Sequence, residues 1–313
     1  MSDKWSSEQI PEQTGRTAIV TGANSGLGLA TTRELARHGA TVVMACRNLA
    51  KGTEAKRELE AKVPGARIEL AGLDLADLSS VASFAESFRA SSDRSGLDLL
   101  INNAGVMASP RRETKDGFEL QLGTNHLGHF ALTARLIGAM EGRADARVVT
   151  VSSNGHKLGR ISFDNLQGDR RYFRWNAYTQ SKLANLLFAL ELERRLRAAG
   201  STIKSLAAHP GYAATNLQTA APPALDRLIM KLTDAVMSQS AEAGALPILF
   251  AATQPDLQGG SYAGPDGPGE YRGHPHLSTP TRNAQDERVA ARLWEVSEQL
   301  TGVSFELGAT AAA

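Results

Sequence analysis

The sequence predicts a doubly wound α/β domain, in which helices cover both faces of a parallel sheet. Apolar runs of strand length alternate with amphipathic segments of helix length, and the connections between them are short. A glycine-rich turn separates the first strand from the first helix. Because no Pro/Ser-rich linker divides the 313 residues, we expect one domain with a core at about 15–264 and a C-terminal extension at 265–313.

The elements follow one another in a regular order. The first predicted strand is Thr17–Thr21, and a helix follows it to about His38. Pro64 and Gly65 end the second predicted helix. Further strands are predicted at residues 40–45, 67–73, 97–101, 147–151 and 202–207. The helices between them are predicted at residues 49–63, 78–90, 117–140 and 177–199.

Three segments interrupt this alternation. Residues 154–176 form a polar and aromatic insertion after a strand, and residues 215–240 carry Pro222, Pro223 and apolar residues at helical spacing. Ligands bind beyond the carboxyl ends of the strands in a doubly wound sheet, so both segments are candidate substrate walls. Surface insertions without a binding role are the alternative. Residues 258–281 are rich in Gly and Pro and predict an irregular loop.

Composition argues against several classes of function. With 34 Lys and Arg against 33 Asp and Glu, the formal net charge is +1, which offers no electrostatic footprint for nucleic acid. The single cysteine, Cys46, excludes an intrachain disulfide and a Cys-rich metal site. His126, His129 and His209 have no partner at ligand spacing and are expected to be structural. A polar N-terminus and the lack of an apolar run of ~18 residues predict a cytoplasmic protein without a membrane span.

The glycine-rich turn predicts a dinucleotide site. Its spacing is Gly-x3-Gly-x-Gly, which differs from the common Gly-x-Gly-x-x-Gly pattern. Glycines allow a close backbone approach to a pyrophosphate, and the N-terminus of the following helix offers free N–H groups to the phosphates. A purely structural turn is the alternative, and the position directly after the first strand argues against it. The predicted contacts are Gly22, Asn24, Ser25, Gly26, Leu27 and Gly28.

The end of the second strand predicts which dinucleotide binds. An acidic residue there would bind the ribose 2′-hydroxyl of NAD, but residues 41–46 contain no Asp or Glu, and Arg47 follows. A carboxylate would repel a 2′-phosphate, whereas a guanidinium can bind it in a bidentate manner. We therefore predict NADP(H) rather than NAD(H). The alternative is that Arg47 is only a solvated charge beside a helix.

Tyr178 and Lys182 are four residues apart on a predicted helix and therefore share one face. A free phenol has a pKa of ~10, and a nearby ammonium favours the phenolate, so Lys182 is predicted to lower the pKa of Tyr178. Ser153 follows the fifth strand and can donate a hydrogen bond to a substrate carbonyl oxygen. Ser152 is the alternative donor. These residues predict acid/base chemistry on a carbonyl or an alcohol.

Together, these motifs resemble those of the short-chain dehydrogenase/reductase family over about residues 15–264. They occur in the family's order: Thr21-Gly-x3-Gly-x-Gly28, Asp74-Leu75, Asn102-Asn-Ala-Gly105, Asn125, Ser152-Ser153, Tyr178-x3-Lys182 and Pro210-Gly211. The stretch Asn125-His-Leu-Gly-His-Phe130 and the Cys46-Arg47 pair resemble the retinol-dehydrogenase-like and WW-domain-oxidoreductase-like subgroup. The resemblance implies a Rossmann fold, and neither a WW domain nor the membrane anchor of several retinol dehydrogenases is expected.

The resemblance also implies a role for each residue. Tyr178 would be the general acid/base, Lys182 would lower its pKa and hold the nicotinamide ribose, and Ser153 would polarise the carbonyl. Asn125 would support a water relay from Lys182 to solvent, with a role that only braces its helix as the alternative. Asp74 would lie at the adenine, or else only cap a helix. The further cofactor contacts implied are Leu75, Asn102, Ala104, Gly105, Pro210, Gly211 and Thr215.

The predicted function is interconversion of a lipophilic aldehyde or ketone and its alcohol by hydride transfer with NADP(H). Apolar candidates for the substrate pocket, beside Ser153, are Met107, Leu158, Tyr212, Leu217, Ile229 and Met230. A non-catalytic NADP(H)-binding sensor is one alternative, and a protochlorophyllide-reductase-like enzyme acting on a C=C bond is another. The family implies a homodimer through the helix of Tyr178 and Lys182, whose charged residues, among them Glu191 and Glu193, could equally be solvated.

Overall fold

A computed structural model of the chain describes residues 4–91, 96–211 and 239–307. The strands are β1 Thr17–Thr21, β2 Thr41–Cys46, β3 Arg67–Gly72, β4 Leu99–Asn102, β5 Arg147–Val151, β6 Lys204–Ala208, β7 Tyr262–Pro265 and β8 Pro275–Leu277. They form one sheet in the order β3-β2-β1-β4-β5-β6-β7-β8. Strands β1 to β7 are parallel, and β8 runs antiparallel to β7. The chain direction across the sheet reverses between β1 and β4, where a doubly wound fold binds its ligand.

Helices cover both faces of this sheet. They are α1 Gly26–Arg37, α2 Leu49–Lys62, α3 Leu78–Ala90, α4 Leu120–Leu122, α5 Gly128–Leu136, α6 Arg174–Ala198, α7 Ala241–Thr253 and α8 Glu287–Thr301. Apolar side chains of α1, α2 and α7 fill the core on one face, and those of α3, α5 and α6 fill it on the other. The predicted single Rossmann domain is confirmed. No helix in the described ranges is both long and apolar enough to cross a membrane.

Local signals set the helix starts that the sequence predicts. Asn48 precedes α2, and its side chain accepts a hydrogen bond from the Lys51 amide at 3.0 Å. Asp77 precedes α3 and accepts from the amide of Ser79 at 2.9 Å. Such caps satisfy N–H groups that have no partner within the helix. Both helices therefore begin one residue after their cap, as the sequence indicates.

Two predicted segments differ from the structure. The stretch expected as an irregular loop at 258–281 contains β7 and β8. The sequence did not predict these short strands, because their Gly and Pro residues are typical of loops and occur in strands mainly at the edge of a sheet. The single helix expected at 117–140 is interrupted by a π-helical turn, Gly123–Leu127, between α4 and α5. A π-helical turn inserts an extra residue into a helix and is frequent at functional sites.

The C-terminal extension covers the helix that was expected to form a dimer. Apolar residues of α8, including Ala290 and Leu293, pack with the α6 residues Leu183 and Leu187 in one buried cluster. Glu191, considered for a solvated face, is buried and pairs with Arg194 and with Arg195, the latter at 2.6 Å. This face of α6 is therefore an intramolecular contact, because α8 occupies it.

Candidate active site

A cleft of about 750 Å³ opens at the carboxyl ends of β1, β2 and β4. Its walls come from the glycine-rich turn, the ends of β2 and β3, and residues 103–106 after β4. Nearly all predicted cofactor residues of these segments line it: Gly22, Asn24, Ser25, Gly26, Leu27, Gly28, Arg47, Asp74, Leu75, Ala104 and Gly105. The cleft thus brings together residues that are up to 103 positions apart in the chain, from Thr21 to Thr124.

The glycine turn has the shape that a phosphate needs. Gly22 and Gly26 have φ angles of +66° and +53°, which L-residues with side chains adopt rarely. A Cβ atom at Gly28 would lie 2.4 Å from the carbonyl oxygen of Gly22, so the helix start and the strand end can approach only without a side chain. The N-terminus of α1 therefore stands open toward the cleft with its unpaired N–H groups.

The floor of the cleft contains Asn103 in place of the predicted cofactor contact Asn102. Asn102 is fully buried, and its amide donates to the Thr133 hydroxyl at 2.9 Å, so its side chain does not face the cleft. Asn103 lines the cleft instead, and its side-chain amide donates to the Thr21 carbonyl at 2.8 Å. Successive strand residues point to opposite faces, which is why the neighbouring asparagine faces the cleft.

Charged groups surround the outer end of the cleft. Arg47 is exposed at the end of β2, as predicted, and Lys51 on α2 is a second cation in the wall that sequence reasoning missed. Asp74 also lines the wall, where its carboxylate accepts from the Ala76 amide at 3.0 Å. Asp77, and not Asp74, caps α3. The alternative in which Asp74 only caps this helix is therefore wrong.

Tyr178 and Lys182 lie on the same buried face of α6. The Ser153 hydroxyl forms a hydrogen bond with the Tyr178 phenol, whereas the Ser152 hydroxyl donates to the Lys182 carbonyl at 2.7 Å within the core. The ammonium of Lys182 donates to the Val151 carbonyl at 3.1 Å. Of the two serines, Ser153 is therefore the one beside the phenol, with Lys182 one helical turn further along.

The pKa values of this group depend mainly on burial. Burial raises the pKa of Tyr178, and the hydrogen bond from Ser153 offsets part of that increase. Burial also lowers the pKa of Lys182 to about 8. The expected lowering of the Tyr178 pKa by Lys182 is thus not what this structure has, because desolvation of the phenolate dominates the shift and Lys182 is not among the groups that lower this pKa. At neutral pH the phenol holds its proton.

Asn125 lies within the π-helical turn Gly123–Leu127. Its side-chain oxygen accepts from the Val106 amide at 2.8 Å, and its side-chain nitrogen donates to the Val106 carbonyl and to the Ser181 hydroxyl, both at 2.9 Å. These bonds hold the segment after β4 against α6. The side chain therefore braces these two segments, and a water relay at Asn125 would use its backbone carbonyl or the second lone pair of its side-chain oxygen.

The β7–β8 connection lies within the loop predicted at 258–281, but its contacts with the site were not predicted. It places the Tyr271 carbonyl so close to Gly211 that a Cβ atom there would lie 2.4 Å from it. The Asn154 side-chain amide donates to the carbonyls of Gly269 and Glu270, at 3.1 and 2.9 Å. This loop therefore holds both the turn after Ser153 and the predicted cofactor contact Gly211. No sequence signal indicated these contacts, since the residues of the loop match no motif.

The predicted substrate residues are only partly described. Met107 is half-buried after the cleft residue Val106, whereas Leu158 is 85% exposed and lines no enclosed pocket in the described ranges. Trp175 was missed, although it precedes Tyr178 by three residues on one helix face; its ring meets the phenol ring edge-on at 6.3 Å. Outside the described residues lie Tyr212, Thr215, Leu217, Ile229 and Met230.

Cys46 and the three histidines His126, His129 and His209 have structural surroundings. Burial raises the pKa of the Cys46 thiol to about 11, which leaves it protonated and unreactive, as expected. His126 is buried and bonded to the Ser297 hydroxyl at 2.8 Å. His129 and His209 are buried as well, and each contacts a segment of the site.

Comparison with known proteins places this geometry in a family. The family profile described as short chain dehydrogenase matches residues 16–226. The chain belongs to the short-chain dehydrogenase family. The match includes the glycine turn, Asn125, Ser153, Tyr178 and Lys182. The matched residues therefore include those that line the cleft and the group of Ser153, Tyr178 and Lys182 next to it.

Relatives place the chain near one branch of the family. It is 41% identical over 301 residues to retinol dehydrogenase 11 of Mus musculus, covering 96% of this chain and 90% of that protein. It is 41% identical over 298 residues to polyprenol dehydrogenase of Mus musculus, covering 94% and 86%. A crystal structure of an uncharacterised protein from Mycobacterium paratuberculosis superposes with a TM-score of 0.81 at 48% identity, covering 97% and 100%. The chain is therefore an oxidoreductase of retinol-dehydrogenase-like type.

Proposed function

We propose that this protein is an NADP(H)-dependent reductase of lipophilic aldehydes or ketones, with Tyr178 as the proton donor. One observation carries the proposal: a buried phenol, bonded to the Ser153 hydroxyl, lies one helical turn from Lys182, whose ammonium is 3.6 Å from where a Cβ atom would stand at the cleft residue Gly105. A buried proton donor beside a hydroxyl that can bind a carbonyl oxygen is the arrangement that carbonyl reduction requires.

The cleft fits a dinucleotide on steric grounds. The glycine turn and the start of α1 would hold the pyrophosphate, since a side chain at Gly28 would collide with the Gly22 carbonyl. Residues 103–106 would form the floor, and Lys182 would hold the nicotinamide ribose. When bound, the cofactor supplies the hydride that reduces the carbonyl carbon.

The residues of the chain then complete the reduction. The Ser153 hydroxyl donates to the carbonyl oxygen and orients it toward Tyr178. The phenol gives its proton to that oxygen as negative charge develops, and its raised pKa keeps the proton available at neutral pH. The Lys182 ammonium stabilises the phenolate left behind, in a site where burial strengthens charge interactions.

The preference for NADP(H) is supported by two cations. Arg47 and Lys51 both line the outer wall of the cleft, and β2 ends in Cys46 without an acidic residue. A 2′-phosphate would gain charge-assisted hydrogen bonds from Arg47, whereas NAD would find no carboxylate at this strand end for its 2′-hydroxyl.

The substrate class is supported by the rim of the site and by the relatives. Trp175 is 42% exposed beside Tyr178, and Tyr271 is 41% exposed on the β7–β8 loop. Exposed aromatic rings at a catalytic rim favour an apolar substrate body over a charged one. The two curated relatives are named for retinol and a polyprenol, which are both isoprenoid alcohols. We therefore propose isoprenoid-like carbonyl compounds as the class.

The test is a pair of measurements on the purified protein. Nicotinamide fluorescence is followed during titration with NADPH and with NADH, and NADPH oxidation is followed with retinal, with a long-chain polyprenal and with the water-soluble control glyceraldehyde. We expect tight NADPH, weak NADH, and turnover of the two isoprenoid aldehydes. Tight NADH alone would overturn the cofactor proposal, and turnover of glyceraldehyde alone would overturn the substrate class. Binding of neither dinucleotide would overturn the function itself.

A further inference from the structure

His129 connects the two halves of the site. Its side chain is buried, and its Nδ1 lies 2.9 Å from the Asn125 carbonyl oxygen, while its Nε2 lies 2.9 Å from the Thr21 hydroxyl. Asn125 belongs to the π-helical turn before α5, and Thr21 ends β1 directly before the glycine turn. One side chain therefore bonds the catalytic turn and the phosphate-binding segment at once.

The partners fix the tautomer of this imidazole. A carbonyl oxygen can only accept, so Nδ1 carries the proton and donates to Asn125. In the neutral ring Nε2 is then the acceptor, and the Thr21 hydroxyl donates to it at 2.9 Å rather than to the Ile101 carbonyl, which is 3.3 Å away. The ring is neutral because burial lowers the pKa of His129 to about 4. The Lys182 ammonium also lowers this pKa, because a charged imidazole at His129 would be repelled by it.

Both bonds reach functional groups. The side chain of Asn125 bonds Val106 and Ser181, and His129 holds the backbone carbonyl of the same residue in place. The Thr21 oxygen accepts from the amides of Asn103 and Ala104, both at 2.9 Å, and these residues line the cleft floor. With its proton directed at His129, the hydroxyl presents both lone pairs to those amides.

We propose that His129 is a positioning residue that aligns the Asn125 turn with the cofactor floor through the Thr21 hydroxyl. The role rests on the proposed function, because it concerns the same reduction. It predicts that loss of the imidazole affects cofactor binding and turnover together, without any contact between His129 and the substrate.

The experiment compares three variants in the full-length protein. His129→Phe keeps an aromatic ring but removes the hydrogen bonds to the Asn125 carbonyl and to the Thr21 hydroxyl. His129→Asn keeps a donor for the Asn125 carbonyl, but its shorter side chain cannot reach Thr21. The matched control is Thr253→Val, since Thr253 is also buried and its hydroxyl donates to the Leu249 carbonyl within α7, which does not line the cleft. The dissociation constant of NADPH, kcat for retinal and the melting temperature are measured for each.

We expect His129→Phe to lower kcat about tenfold and to raise the NADPH dissociation constant about threefold or more, as loss of one or two net hydrogen bonds would. Thr253→Val is expected to lower the melting temperature, while its kcat and its NADPH dissociation constant stay within twofold of wild type. His129→Asn is expected to recover most of kcat while NADPH binding stays weakened. Equal effects of His129→Phe and Thr253→Val on kcat and NADPH binding would overturn the proposal, and so would failure of His129→Asn to recover kcat.

A second variant covers the case in which His129→Phe does not fold. Thr21→Val removes the hydroxyl at nearly constant volume, and we expect it to weaken NADPH binding about threefold or more. Unchanged binding in Thr21→Val would overturn the connection to the floor. If wild-type protein binds NADPH but reduces no carbonyl compound, the proposed function fails, while the comparison of NADPH binding still decides the role of His129.

Discussion

The Nε2 atom of His209 lies 3.5 Å from a carboxylate oxygen of Glu270. Because the Gly211 amide donates to Nδ1 of the same ring at 3.3 Å, the neutral imidazole carries its proton on Nε2, facing Glu270. Lys157 approaches the same carboxylate at 2.7 Å, and Glu270 itself has a φ of +58°. One residue of the β7–β8 loop thus holds the turns that follow β5 and β6, and these contacts hold the pKa of Glu270 well below its usual value.

Glu270→Gln is expected to loosen this arrangement. The amide keeps the shape but loses the charge that faces Lys157 and His209, so we expect the free energy of unfolding to fall by about 1–2 kcal/mol. Misalignment of Ser153 and Gly211 should lower kcat/KM by roughly fivefold. Chemical denaturation and steady-state kinetics measure both. Glu242→Gln, which removes an exposed pair with Arg33, is the control and should change neither.

Tyr178→Phe is expected to lower kcat by at least ~10², because the variant loses the buried phenol that stands beside Ser153 and is proposed to donate the proton. NADPH binding should stay within about twofold, since the phenol is only one of many contacts in the cleft. Tyr172→Phe is the control; its hydroxyl donates to the Ser109 carbonyl at 2.9 Å, away from Ser153. Turnover that survives in Tyr178→Phe would show that another acid serves the reaction.

Arg47→Ala is expected to weaken NADPH by roughly 10- to 100-fold and NADH by less than about threefold, because only NADPH carries the 2′-phosphate. Fluorescence titration of both nucleotides measures the difference. Arg57→Ala, an exposed arginine of α2 that does not line the cleft, is the matched control. An equal loss for both nucleotides would remove the 2′-phosphate role.

Lys182→Met is expected to stabilise the protein while it abolishes turnover. Burial lowers the pKa of Lys182 from 10.5 to about 8, so the unfolded chain binds this proton more tightly than the folded one. The contribution of Lys182 to stability is thus unfavourable below pH 8 and improves as the pH rises from 8 to 10.5. Its removal should raise the free energy of unfolding at pH 7 by about 1–3 kcal/mol.

Denaturation of the Lys182→Met variant at pH 7 and pH 9.5 checks this sign. The gain over wild type should be larger at pH 7 and shrink at pH 9.5. Lys56→Met removes a partly exposed lysine that pairs with Glu60 at 3.6 Å, and it should change stability by less than about 0.5 kcal/mol. A destabilised Lys182→Met protein would mean that the bond to Val151 outweighs the cost of burying the charge.

Trp294→Ala should destabilise the protein by about 3–5 kcal/mol, since the ring is buried among Phe130, Phe188 and Phe305. Arg195 also covers this ring, with its guanidinium carbon 4.4 Å from the centroid. Trp175→Ala, at an exposed tryptophan, should cost less than about 1 kcal/mol. Thermal and chemical denaturation measure the difference, and similar losses in both variants would contradict the packing role of α8.

Much of the fold was predictable because its local signals agree. The strands Thr17–Thr21 and Arg147–Val151 and the helix Leu78–Ala90 have the predicted bounds, because each combines an apolar period with clear end signals. The π-helical turn at Asn125 was not predictable, since residues 117–140 carry an ordinary helical pattern. Strands β7 and β8 were missed because their pairing partners, not their composition, make them strands.

The sequence by itself determined the family, the glycine turn and the order of the catalytic residues, because these depend on residue type and spacing. The tertiary structure decided which neighbour faces the site: Asn103 rather than Asn102, and Ser153 beside the phenol rather than Ser152. It also decided the direction in which the Tyr178 pKa shifts, because desolvation depends on all the atoms packed around a group. Contacts such as His129 with Thr21 join residues 108 positions apart, and no local pattern encodes such a distance.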